Sequence, residues 1–302
     1  ALANQLSFYL LIFILGLFIL ENLSRKKAQY HSPTRGGFKK KSLTTLHGYK
    51  ALLAFSFCFL IFFISFLFPV MQMLYWTIIF PKHLFDLDLI NLFSNTIVLV
   101  LLSSTVLIIF AFISNYGNRL SRSKFLEILT TFSISGYAIP GIILAVAFIT
   151  FISWFDNNVV SFFELRNIKT IFIGSVLGLV IVYFIRFYSL ASNGIKSGYL
   201  KISYSIDESA YLLGYSKFKT FRNIHIPYLK NSILLIGILI AIEIIKELPI
   251  TLIMRPFNFE TFATQAYIYA SQDLLEAAAA PSLFLILIAS FFILITSRYI
   301  LK

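Results

Sequence analysis

Long runs without charge constrain this chain more than anything else in it. Seven stretches, at 5–20, 51–80, 92–113, 128–153, 170–191, 232–253 and 282–300, are almost wholly apolar. Crossing the hydrocarbon core of a bilayer takes about 20 such residues. The first stretch is short, and the second is over-long, with Pro69 predicting a bend inside it. Lipid offers a backbone no water to bond to, so spans of this kind are helices. The expected fold is therefore all-α, a polytopic membrane protein with about seven transmembrane helices. At 59% hydrophobic and 13% charged, with mean hydropathy +0.86, the composition exceeds what any soluble core needs.

Charge then sets the orientation. The segments 21–50, 114–127, 193–231 and the tail from Arg298 hold 19 of the 25 Lys and Arg residues, whereas the alternate loops hold only Lys82, Arg166, Lys169 and Arg255. The positive-inside rule puts the first set in the cytoplasm, so the N-terminus of the chain is expected outside and its C-terminus inside. The formal charge of +12 is thus a topology signal, and no nucleic acid is expected as a partner. Lys39-Lys40-Lys41 suits anionic headgroups of the membrane lipid. Ala1 is no initiator Met, and no basic flank precedes the first apolar run. The chain is accordingly expected to begin inside something longer rather than at a signal peptide. The polar stretch 21–50 reads as a basic cytoplasmic linker.

Within the basic 193–231 loop lies Glu208-Ser-Ala-Tyr-Leu-Leu-Gly214, followed after nine residues by Ile224-His-Ile-Pro227. Asp207 and Glu208 suit a helix N-terminus, where the dipole favours negative charge. Gly214 permits a tight turn or a close backbone approach, and Pro227 restarts or bends the chain. The spacing resembles the "EAA" loop of ABC-type importer permeases, with Ser209 and Ile226 as conservative departures and Ala210 matching. The resemblance implies that Asp207, Glu208, Ser209, Ala210, Gly214, Ile224 and Pro227 dock a cytoplasmic ATPase.

A second set of residues is similar to permeases for ferric iron. Gly136-Tyr-Ala-Ile-Pro140-Gly141 looks like their Tyr-Ala-x-Pro-Gly segment, and Lys246-Glu-Leu-Pro249, Arg255-Pro-Phe257 and the stretch through Phe259, Thr261 and Tyr267 to Glu276 continue the likeness. Asn258 stands where Gly is expected. On this resemblance, 1–20 corresponds to the last helix of a preceding half, 21–50 to the linker, and 51–302 to a six-helix permease domain of the type I fold, with its core at about 91–298. Permeases for thiamine, polyamines and phosphonates share the Glu208 loop and are the alternative substrate classes.

Other residues are read on their own physics. Pro140-Gly141 removes a backbone hydrogen bond and loosens the chain, so the span there is expected to be kinked or broken, as a hinge or as a static bend. Gly174 and Gly178 form a Gly-x-x-x-Gly face expected to pack closely against a neighbouring helix. Glu243, Lys246 and Glu247 are spaced to share one helix face at membrane depth, either along a solute path or as a structural pair. With Pro140, Gly141 and Arg255 they are the path or gating candidates. Arg186 is expected to snorkel to the interface.

No Gly-x-x-x-x-Gly-Lys-Ser/Thr phosphate loop and no His-Glu-x-x-His occurs. Catalytic residues, a metal site and a cofactor on this chain are not expected; His31, His47, His83 and His225 are too scattered, and Cys58 reads as a buried small hydrophobe. The family resemblance supplies the rest: ATP and magnesium in a partner ATPase dimer, a periplasmic or lipid-anchored solute-binding protein, and the other permease half. The location it implies is the bacterial inner membrane. A proton-coupled secondary transporter using Glu243 or Glu247, or an intramembrane enzyme, are the rival classes.

Overall fold

The computed structural model describes residues 45–85, 87–121, 135–160 and 171–300, with single positions among 9–20 and 123–133. The span expected at 5–20 lies almost entirely outside the described residues, as do Lys39 to Lys41 and Lys169. No strand occurs among those described, and six helices are long and apolar enough to cross a membrane. The chain divides into two compact units, Ala1–Ile79 and Phe80–Lys302.

The first unit is described mainly by α1, Tyr49–Ile79. Pro69 does disturb it. A π turn at Phe63–Leu67 lies just before the proline, where the missing N–H and the ring demand a wider turn. No residue of α1 is buried, and Cys58 is exposed on it rather than packed away as expected.

In the second unit α2 (Pro81–Phe85) leads to α3 (Leu89–Ser121), then α4 (Gly141–Phe155) and α5 (Val176–Tyr199). After α6 (Tyr204–Leu212) comes α7, Lys217–Ile245, followed by α8 (Pro249–Met254), α9 (Phe262–Ser271) and α10 (Leu275–Ile300). Two expected spans differ. The stretch 128–153 is no single helix: a 3-10 turn at Ser135–Ala138 ends in a bend, and Pro140 becomes the N-cap of α4. The helix expected at 232–253 starts at Lys217 and stops at Ile245. Pro249 explains the stop, because it denies a hydrogen bond to the Ile245 carbonyl and disfavours helix at Leu248. Pro227 does not restart the chain either; it sits at the second residue of the regular part of α7, Ile226–Ile245, just after a π turn at Phe221–His225.

Lipid tails are as apolar as leucine, so burial of apolar area does not hold helices together in a membrane; close packing and polar contacts do. The core lies among α3, α5 and α7, where Leu107, Val182, Phe187 and Ile240 are almost wholly enclosed. Asn115 of α3 donates to the Ser192 carbonyl and hydroxyl of α5 at 3.3 and 3.1 Å. Close approach comes from Gly194 and Gly198 of α5. A Cβ on Gly194 lies 2.6 Å from Ile236 Cγ1, and one on Gly198 lies 2.9 Å from Leu229 Cδ2, both on α7. The Gly174/Gly178 pair does not play this part. Gly174 precedes the helix at φ +62 with open space beside it, and Gly178 lies against the Phe172 carbonyl of its own incoming turn, with no room for a Cβ.

Filling the α5–α7 contact should be costly. Gly194→Val is expected to lose about 1–3 kcal/mol through overpacking, read as a lower melting temperature of the purified protein, while Gly117→Ala, within α3 and with open space at its Cβ, should not lower it and should raise it slightly.

Candidate functional site

Two charged clusters sit at different places along the second unit. The first anchors the loop that carries Glu208. Ser203 precedes α6, Asp207 falls in its first turn, and the chain leaves the helix through Gly214 at φ +79. Tyr215 N donates to the Ala210 carbonyl and Gly214 N to that of Tyr211, both at 3.0 Å, which closes the helix as a Schellman motif. Nothing lies within 4 Å of a Cβ at Gly214, so the glycine is needed for its left-handed backbone and not for space inside this chain.

Asp207 and Glu208 point to different worlds. Asp207 is buried and Glu208 is exposed. Arg119, at the end of α3, donates from Nε to Asp207 Oδ2 at 2.6 Å, and from its other nitrogens to the Ile202 and Ser203 carbonyls at 3.0 and 2.9 Å. His225 of α7, fully enclosed between the Tyr116 and Tyr199 rings, brings Nε2 to 3.0 Å from Asp207 Oδ1. That approach is off-axis, a close polar contact rather than an aligned hydrogen bond, and it is an ion pair only when the imidazole is protonated. One carboxylate thus ties α6 to both α3 and α7. Ser209 and Gly214 are exposed beside Glu208, with Leu212 and Leu213 at 89% and 79% exposure, whereas Ala210 is buried, Ile224 half-buried and Pro227 exposed. Ser205, Ile206, Ser209, Ala210, Leu213 and Ile224 line a shallow depression of about 300 Å³.

The second cluster joins the two helix breaks. Arg186 of α5 donates from Nη1 to the Ile139 carbonyl at 2.9 Å, and its Nε lies 3.3 Å from Glu247 Oε2. Arg186 therefore does not snorkel away; it faces the breaks. Glu247 is buried between α7 and α8, and its Oε1 accepts from Ile250 N at 3.5 Å. Thr251 donates to the Glu247 carbonyl and contacts the Tyr183 hydroxyl, one turn from Arg186 on α5. Gly141 completes the fit, since a Cβ there sits 2.8 Å from Glu247 Oε1 and 3.2 Å from Arg186 Nη1. Glu243, Lys246 and Glu247 do not share one helix face, because the helix ends before Lys246. Lys246 Nζ meets Glu243 Oε1 at 2.7 Å in a partly exposed pair, and Glu247 turns inward. Arg255 pairs with Glu260 in the α8–α9 loop, where burial pulls its pKa below the usual guanidinium value. In the same loop Asn258 takes φ +58, which accounts for the glycine expected there; Asn is among the few side chains that tolerate this conformation. Among the described residues no group of His, Cys, Asp or Glu is arranged to hold a metal.

No family model matches the chain. Over 280 residues it is 22% identical to the Fe(3+)-transport system permease protein FbpB 2 of Haemophilus influenzae, covering 92% of this chain and 53% of that protein. The chain thus spans about half the length of this curated relative. Its fold matches a chain of a bacterial ABC transporter involved in the import of the acidic polysaccharide alginate, with TM-score 0.66 and 19% identity over 82% of this chain and 94% of that one. A bacterial alginate ABC transporter in complex with an alginate pentasaccharide-bound periplasmic protein matches equally, with TM-score 0.66, 18% identity and coverage of 82% and 93%. The likeness is to ABC importer permeases of the ferric iron type. The resemblance to that family stands, and so does the all-α fold.

Sequence reasoning missed Arg119, His225 and Arg186, each of which sits apart in the sequence from its partner. The basic end of α3 carried the signal for Arg119; nothing in the sequence flagged the pairing of Arg186 with Glu247. Arg119→Met strands Asp207 in its buried site and is expected to cost about 3–5 kcal/mol. Glu208→Gln, at an exposed position, should stay within about 0.5 kcal/mol of wild type. Thermal melting of the two variants checks the contrast.

Proposed function

We propose that the chain is a permease half of an ATP-driven importer of the inner membrane, with ferric iron, bare or chelated, as its cargo. The observation that carries this reading is the α6 loop, a short helix fixed from within by Asp207 and presenting Glu208, Leu212, Leu213 and Gly214 outward. A rigid helix with an exposed apolar tip is suited to seat in a partner and to pass its movement on to α3 and α7. The partner is a cytoplasmic ATPase dimer, which holds ATP and magnesium. The ferric cargo is inferred from the curated relative's name and from the Lys246 to Tyr267 likeness, and a second permease half from the share of that relative which this chain spans. A periplasmic or lipid-anchored binding protein as the solute donor is supported by the alginate complex with its periplasmic protein.

In this reading ATP binding moves the α6 helix, and because Arg119, Asp207 and His225 link it to two long helices, the movement reaches the membrane interior. The coupling is effective only insofar as the contacts at α6 differ between the two ATPase states. The positive-inside pattern supports an orientation with α6 and the C-terminus in the cytoplasm and the N-terminus of this chain outside.

Gly214→Asp tests the docking. Asp is among the few side chains that tolerate its left-handed backbone, as Asp273 does at φ +61, and the added carboxylate stands on the exposed surface. Membrane insertion at wild-type level with loss of ATPase co-purification is expected; full co-purification with the variant removes α6 as the docking element. An impermeant amine label applied from the periplasm should spare Lys217 and Lys219 and reach Lys82, and labelling of Lys217 from that side inverts the topology.

A further inference from the structure

The geometry points to Arg186 as a positioning residue that latches the two helix breaks together and so holds the membrane interior shut. The inference rests on the permease reading only in supposing that something crosses between these helices; the latch itself is read from contacts.

Each break frees a backbone group that lipid cannot satisfy. At the first, Pro140 ends the 3-10 turn and leaves the Ile139 carbonyl without a helical donor, and Arg186 Nη1 takes it at 2.9 Å. At the second, Glu247 closes the start of α8 through Ile250 N and presents its other oxygen to Arg186 Nε at 3.3 Å. One guanidinium on the unbroken helix α5 is therefore the common partner of two segments 108 positions apart in sequence, Ile139 and Glu247. Gly141 has no side chain at the point where the two charges pass, and Gly136 lets the 3-10 turn lie on the Ile185 carbonyl, too close for any Cβ.

The hold on Glu247 is also one that can be released. Arg186 Nε is enclosed yet makes no aligned hydrogen bond, and Arg186 keeps 20% of its side chain exposed against 8% for Glu247. Of the two contacts Arg186 makes, the one to Glu247 is thus the longer and the worse aligned, and the carbonyl bond to Ile139 is the firmer. Lys246 and Glu243 pair with each other outside this arrangement, so neither replaces Arg186 or Glu247 as partner.

The test uses the intact transporter in its native membranes, with Cys58→Ser and a single reporter, Ala145→Cys, placed one turn into α4 where Ala145 is wholly buried. A water-borne thiol reagent is applied without ATP or solute. The parent reporter should react slowly, and Arg186→Gln should raise the rate about tenfold, the change expected when the closed state loses about 1.4 kcal/mol of its advantage. Gly141→Ala, which pushes both charges apart, should do the same, and Glu243→Gln should not. If Arg186→Gln accumulates poorly, Arg186→Lys, which keeps the charge but lacks the fork that reaches both partners, is read in its place. Unchanged reactivity in Arg186→Gln or Arg186→Lys overturns the latch, as does an equal rise in Glu243→Gln. Because the readout needs neither iron nor an ATPase, the latch stands or falls separately from the proposed cargo and docking.

Discussion

A helix interrupted inside a bilayer leaves backbone groups that no solvent can meet, and the second unit of this protein is organised around two such interruptions. The Pro140 break and the Ile245–Pro249 break each expose groups that cost several kcal/mol if left alone in hydrocarbon. Arg186 and Glu247 meet them with charge-assisted contacts, and Gly136 and Gly141 let the backbones come close enough for this to work. Burying an ion pair is seldom a gain in itself. Here the pair is tied to backbone groups that need partners, which is why it is tolerated among apolar helices.

The Glu208 loop is built by the same logic at another level of the bundle. Asp207 is buried under α6 and bound by Arg119 from α3, with His225 from α7 on its far side. The neighbouring carboxylate, Glu208, is left on the surface. A buried anchor and an exposed carboxylate are thus adjacent in sequence and opposite in environment. Helix α5 touches both clusters: Tyr199 packs on His225 and lies under Arg119, and Arg186, 13 residues earlier, holds the breaks. At 1.5 Å per residue that is about 20 Å of continuous helix, a rigid connection between the Glu208 loop and the two helix breaks.

Local chemistry was legible because it acts over a few residues. Apolar length announced the spans, Pro140-Gly141 announced a break, and the spacing from Glu208 to Pro227 announced the loop. Even the glycine expected at Asn258 follows from a positive φ that the structure shows. Errors came where the period of a helix was carried through a proline. Glu243, Lys246 and Glu247 share a face only if the helix continues, and Pro249 stops it. Gly174 and Gly178 have helical spacing, yet only Gly178 is in a helix, while the effective pair, Gly194 and Gly198, went unread because any helix surface offers such spacings and only the approach of α7 selects one.

By itself the sequence determined that this chain is helical and lies in a membrane, that one span breaks at Pro140, and which loop resembles a docking element. Those follow from solvent transfer, from backbone hydrogen bonding and from residues at short separations. Only the tertiary structure decided which charges meet. Arg119 with Asp207, and Arg186 with Glu247, are 88 and 61 positions apart, and no periodicity links them. A buried charge needs a partner, but the sequence does not say which one; that is settled when packed helices leave each charge a single neighbour within reach.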